Sequence, residues 1–109
     1  MSLCFYDNIE ISDESIVSID RVYGLDFGQF DDEMWDKLSE IYSMLPAQIQ
    51  VDGVGQPAWF GEEDKHYEYL WASVEPSGLQ VVGRLNSADW YEWEKTFHEG
   101  IIAFPFFAI

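Results

Sequence analysis

A chain of 109 residues that is 48% hydrophobic and 17% aromatic is long enough for one core and too short for two, and too rich in rings to be disordered. Its 21 Asp and Glu against 5 Lys and Arg give a net charge of -16. That balance argues against nucleic acid or an anionic membrane surface as direct partner, because phosphate contacts need clustered cations. A single cysteine, Cys4, excludes an internal disulfide and a cysteine-built zinc site, and no apolar run approaches the roughly 18 residues of a membrane span.

In chain order, the stretch Met1 to Glu10 has no basic region followed by an apolar one, so no secretory signal is visible and a cytoplasmic chain is expected. Ile16–Tyr23 alternates imperfectly between apolar and polar residues. With Asp13 as a cap it reads as a short helix, with a short strand as the alternative. The clearest element is a helix from about Asp31 to Leu45. Met34, Trp35, Leu38, Ile41, Tyr42 and Leu45 form one apolar stripe at helical spacing, and Asp32, Glu33, Asp36, Lys37 and Glu40 fall off it. Asp31 is the expected cap, and Pro46 stops the helix. Gln48–Gly55 is turn-like, and Ala58-Trp59-Phe60 is a short strand before the acidic loop Glu62-Glu63-Asp64. Tyr67–Val74 and Leu79–Leu85 read as a β-hairpin, with Glu75-Pro76-Ser77-Gly78 as a type I turn followed by a left-handed residue. If Val74 faces Leu79, both hairpin faces are largely apolar, and helices cover one of them and part of the other. A second helix spans about Ala88 to Glu99, capped by Ser87, stopped by Gly100, with Trp90, Trp93 and Phe97 on one face. The apolar tail Ile101–Ile109, broken by Pro105, reads either as a strand closing the sheet or as an exposed edge that pairs with a second copy in a homodimer. Together these elements give an α+β fold: one acidic domain over 1–109, a small antiparallel β-sheet packed against two main α-helices.

The candidate chemistry is ordered by charge. Residues 1–36 hold ten acids and one base, Arg21. Asp26, Asp31, Asp32, Glu33, Asp36 and Glu40 crowd around the start of the first helix, with Asp7, Glu10, Asp13, Glu14 and Asp20 upstream. Such crowding costs stability by self-repulsion and speeds encounter with a cationic partner. Trp and Tyr beside acids add cation–π sites and hot spots. Trp35, Trp90 and Trp93 sit on apolar helix faces and belong to the core, whereas Tyr67, Tyr69 and Trp59 divide between core and partner contact. Asp52, Glu63 and Lys65 match a nuclease-like spacing, but they lie in loops of a chain that would repel its substrate, so they read as coincidence. His66 and His98 have no metal-binding spacing and read as lone surface histidines. No cofactor or metal site is expected.

In general character the chain resembles the small acidic immunity proteins made beside toxins, and more loosely the acidic proteins that imitate nucleic acid. No alignable residue pattern carries either likeness, so it implies a mode of action and no site residues. The expected function is non-catalytic. Asp26, Asp31, Asp32, Glu33, Asp36 and Glu40, with Trp59, Tyr67 and Tyr69, would bind a basic protein such as a toxin or nuclease and occlude it. The alternatives are a nucleic-acid mimic, a small-ligand domain with a pocket lined by Trp59, Tyr67, Tyr69 or Trp71, and a module dimerising through Ile101–Ile109.

Overall fold

A computed structural model describes the backbone of residues 5–7 and 10–12, and residues 16–49 and 56–107 with their side chains. Among the described residues seven strands form one antiparallel sheet: β1 (Phe5–Asp7), β2 (Glu10–Ser12), β3 (Ile16–Tyr23), β4 (Gln48–Ile49), β5 (Ala58–Trp59), β6 (Tyr69–Glu75) and β7 (Gly78–Asn86). Their spatial order is β1-β3-β7-β6-β5-β4, and β2 also pairs with β3. Helices α1 (Asp32–Met44) and α2 (Ser87–Ile101) pack on one face of this sheet. The fold is the expected small α+β unit, and no described helix is long and apolar enough to cross a membrane.

Ile16–Tyr23 is a strand, not a helix. Val17, Ile19, Arg21 and Tyr23 are buried on the helix side, and Ile16, Ser18, Asp20 and Val22 face outward. The alternation is strict in burial but not in polarity, because an arginine occupies an inward position. The hairpin register is as expected, with Val74 opposite Leu79 and Ala72 opposite Val81. Gly78, at φ +130, closes the turn. A side chain there would meet the Tyr23 carbonyl across the β3 border, so glycine is required. Leu70, Ala72, Leu79, Val81 and Leu85 are buried beneath the helices. At about 1.5–3 kcal/mol for each large apolar side chain, this layer outweighs any surface ion pair of the molecule. Both helices lie on this inner face, and Tyr69, Trp71, Ser73, Gln80, Val82 and Arg84 are half-buried on the other.

Asp31 caps α1 as expected, accepting from the Met34 backbone N–H at 2.9 Å. The cap of α2 is Asn86 rather than Ser87: its Oδ1 accepts from Asp89 N–H at 2.9 Å, while Glu68 accepts from its side-chain and backbone N–H groups. Nor does Gly100 end α2, which runs on to Ile101. The glycine is there for close approach, since a Cβ on it would sit 3.0 Å from Ile41 Cγ2 of α1. Among the described residues the tail forms no closing strand. Phe106 makes one bridge to Leu25, and Asp26 N–H donates to Pro105 O at 2.9 Å. Ile101 and Phe104 belong to the core, while Ile102 and Phe107 are exposed, and residues 108–109 lie outside the described residues.

Candidate protein-interaction face

α1 turns its Leu38 and Ile41 onto the sheet and α2, which leaves Asp32, Glu33, Asp36 and Glu40 in solvent. Two acids of the expected set have local work. Asp26 accepts from Gly28 N–H at 3.1 Å and from the Gln29 side chain at 2.7 Å, tying down the 3-10 turn Phe27–Gln29. Asp31 is the helix cap. Among the described residues the other four are held by no salt bridge, and Lys37 is the one cation on this helix. Elsewhere Arg21 pairs with Glu94, Lys65 pairs with Glu62, and Arg84 lies over Tyr67. Of the upstream acids, Asp13 and Glu14 lie outside the described residues, and only the backbone of Asp7 and Glu10 is described.

The ring beside these acids is Trp35, which the sequence had assigned to the core. It is 37% exposed, stacked on Phe27 (centroids 5.0 Å apart, planes 12° apart) and 4.9 Å from Phe30. Its neighbours hold the indole in place, so a partner meets a surface that is already ordered. From Trp35 a groove of about 250 Å³ runs past Ser39 and Tyr42 to Val74 at the hairpin end. Leu38, Ala72 and Leu79 form its buried floor. Burial pushes the Tyr42 hydroxyl above its ordinary value.

The three aromatic residues assigned to partner contact do not join this face. Trp59 is fully buried, packed edge-on to Trp93 at 5.2 Å, with Nε1 donating to Tyr42 O at 3.3 Å. It is a core residue and offers no ring to a partner. Tyr67 and Tyr69 lie with Arg84 on the opposite side of the sheet. The guanidinium sits 4.2 Å from the Tyr67 centroid and 5.4 Å from that of Tyr69. The cation these rings were expected to receive is thus supplied by the chain itself.

A second polar cluster is internal. Arg21 is 3% exposed, and its Nη1 donates to Glu94 Oε2 at 2.5 Å and to Tyr23 Oη at 2.9 Å. Tyr23 Oη and His98 Nε2 are hydrogen-bonded at 2.7 Å, and Arg21 lies 5.1 Å from the Trp90 ring centroid. His98 is therefore part of a part-buried network and not a lone surface histidine. The cluster clamps β3 to α2, holding the Arg21 charge against a carboxylate and two hydrogen-bonding side chains.

A hollow of about 360 Å³ is lined by the acidic loop 62–64, Lys65, Gly61 and Trp71, whose Nε1 donates to Glu63 at 2.8 Å. Of the four rings considered for a ligand pocket, Trp71 alone lines it. Glu63 and Lys65 of the nuclease-like set are therefore engaged by Trp71 and Glu62, while Asp52 lies outside the described residues. His66 Nδ1 accepts from Glu62 N–H at 2.9 Å. Among the described residues no group of three His, Cys, Asp or Glu is placed to hold a metal ion.

No protein-family model matches this chain, and neither a curated protein nor a solved structure matches it. The functional reading rests on its own residues.

Proposed function

We propose that this protein is a non-catalytic binder that docks its α1 face onto a basic protein and occludes it, in the manner of an immunity protein covering a toxin or nuclease. The observation that carries this reading is the juxtaposition, on one helix, of the exposed carboxylates of Asp32, Glu33, Asp36 and Glu40 with the part-exposed indole of Trp35. The carboxylates steer a cationic surface into encounter; the indole supplies the desolvated contact that slows its departure. At physiological salt the screening length is about 8 Å, so carboxylates gathered within a few turns of one helix matter more than the total charge. Binding is then fast, stoichiometric and salt-sensitive, and blocks the partner's substrate by occupancy.

The test uses tagged protein as bait in an extract of its native host. A basic protein held at low salt, released as salt rises, and lost when Asp32, Asp36 and Glu40 are changed to lysine is the expected result. Recovery of only neutral or acidic proteins, or capture that survives the lysine changes, removes the proposal.

A further inference from the structure

We infer that the groove between α1 and the end of the β6–β7 hairpin seats one large apolar side chain of the partner, presented on a segment whose neighbouring residues are lysine or arginine. The inference deepens the reading of the α1 face as a docking surface for a basic protein and rests on it.

Among the described residues no charged side chain lines the groove. Leu38 and Leu79 lie at its floor with 2% and 0% exposure, whereas its two ends are exposed: Trp35 at 37% and Val74 at 53%. Apolar surface left in water at both ends of an apolar slot is what a contact with an apolar group removes. The volume, about 250 Å³, is below the roughly 300–1,000 Å³ of pockets that enclose a drug-sized ligand. A slot of this size suits one side chain.

Charge then decides what carries that side chain. Asp32 stands three residues before Trp35 and Asp36 three before Ser39, so helical spacing places both carboxylates along the outer wall. An apolar slot with an anionic border along α1 selects an apolar residue with cations beside it. A second copy of this chain is disfavoured, because two such faces would bring these carboxylates together on molecules of charge -16 each. Nucleic acid is disfavoured by the same α1 carboxylates.

The probe is a capped peptide of lysines and arginines with one central leucine, titrated against the intact protein at low and physiological salt. Its control has alanine in place of the leucine. The leucine peptide should bind about tenfold more tightly than the control, the difference expected for an anchor that buries a few methylene groups. It should also shift the Trp35 indole N–H signal in the NMR spectrum. Ser39→Trp, at an exposed helix position, fills the slot and should make the two peptides equal. Asp32→Lys with Asp36→Lys should weaken both. If both peptides bind equally and Trp35 does not respond, the groove is refuted while the electrostatic reading of α1 stands. If neither binds even at low salt, that reading falls too. A Trp35 shift that appears with protein concentration alone assigns the groove to a second copy and overturns the inference.

Discussion

Replacing Gly100 by alanine sets two effects of opposite sign against each other. In a helix interior alanine is favoured over glycine by about 1 kcal/mol. Here, however, the new Cβ would lie 3.0, 3.1 and 3.2 Å from Cγ2, Cγ1 and Cδ1 of Ile41, where carbon atoms prefer about 3.5–4.0 Å. Ile41 is 4% exposed, and its branched Cβ allows essentially one rotamer in a helix, so it cannot swing away. Overpacking of this kind costs about 1–3 kcal/mol. The net expectation for Gly100→Ala is a loss of about 1 kcal/mol, a fall in Tm of roughly 4–8 °C. Urea denaturation of a double-mutant cycle with Ile41→Ala isolates the cause. The paired changes should cost less than the sum of the single ones by about 1–2 kcal/mol, because the cavity at residue 41 accommodates the methyl group. A more stable Gly100→Ala protein with no coupling to residue 41 would show that the glycine is merely tolerated and that α1 does not owe its position to this contact.

Three further outcomes follow from the same structure. Gly83→Ala would drive a methyl into the Tyr69 carbonyl and to 2.8 Å from the Leu70 Cα, at the centre of the β6–β7 pairing. A loss of about 3 kcal/mol or more is expected, and near-wild-type denaturation would mean the two strands can part. Asp31→Ala should cost about 1 kcal/mol through the lost cap while Asp31→Asn, which caps equally well, stays within about 0.5 kcal/mol. Equal losses in thermal unfolding would assign the effect to charge instead. Burial holds the Tyr42 proton in the folded state above its ordinary value of 10.0, whereas the unfolded chain releases it there. Its contribution is therefore intact below about pH 10 and declines above it, by about 1.4 kcal/mol per pH unit, until the folded value is passed. Wild type should lose about 1.4 kcal/mol more than Tyr42→Phe between about pH 9 and about pH 11. Identical losses would show that the hydroxyl is hydrated.

Local signals were legible where polarity and burial coincide. The apolar stripe of α1, its Asp31 cap and the Val74–Leu79 register all emerge from the sequence, because each is decided by near neighbours. β3 does not, because Arg21 stands on the buried side and pairs with Glu94, far along the chain. The same residue explains why His98 looked isolated. Gly100 reads as a stop until the partner helix is seen, since glycine for chain reversal and glycine for close approach look alike in one dimension. The acids of the candidate face were visible, but not their ring. Trp35 lies on the stripe by spacing yet at the margin of the sheet in space, whereas Trp59, flanked by Pro57 and Gly61, has the sequence surroundings of a loop and the burial of a core residue. Tyr67 and Tyr69, which the sequence leaves between core and partner contact, lie against Arg84.

The pairing of β3 with β7 sets the order of events when the chain is made. Tyr23 waits for Leu79, and Ile16 for Asn86. Until β7 has left the ribosome, the front half has strands without a central neighbour and an acidic helix with no floor beneath it. Contacts so distant along the chain slow folding and postpone it until β7 has been made. Through that interval the self-repulsion of the carboxylates, which costs stability in the finished molecule, keeps nascent chains on one message from adhering to each other.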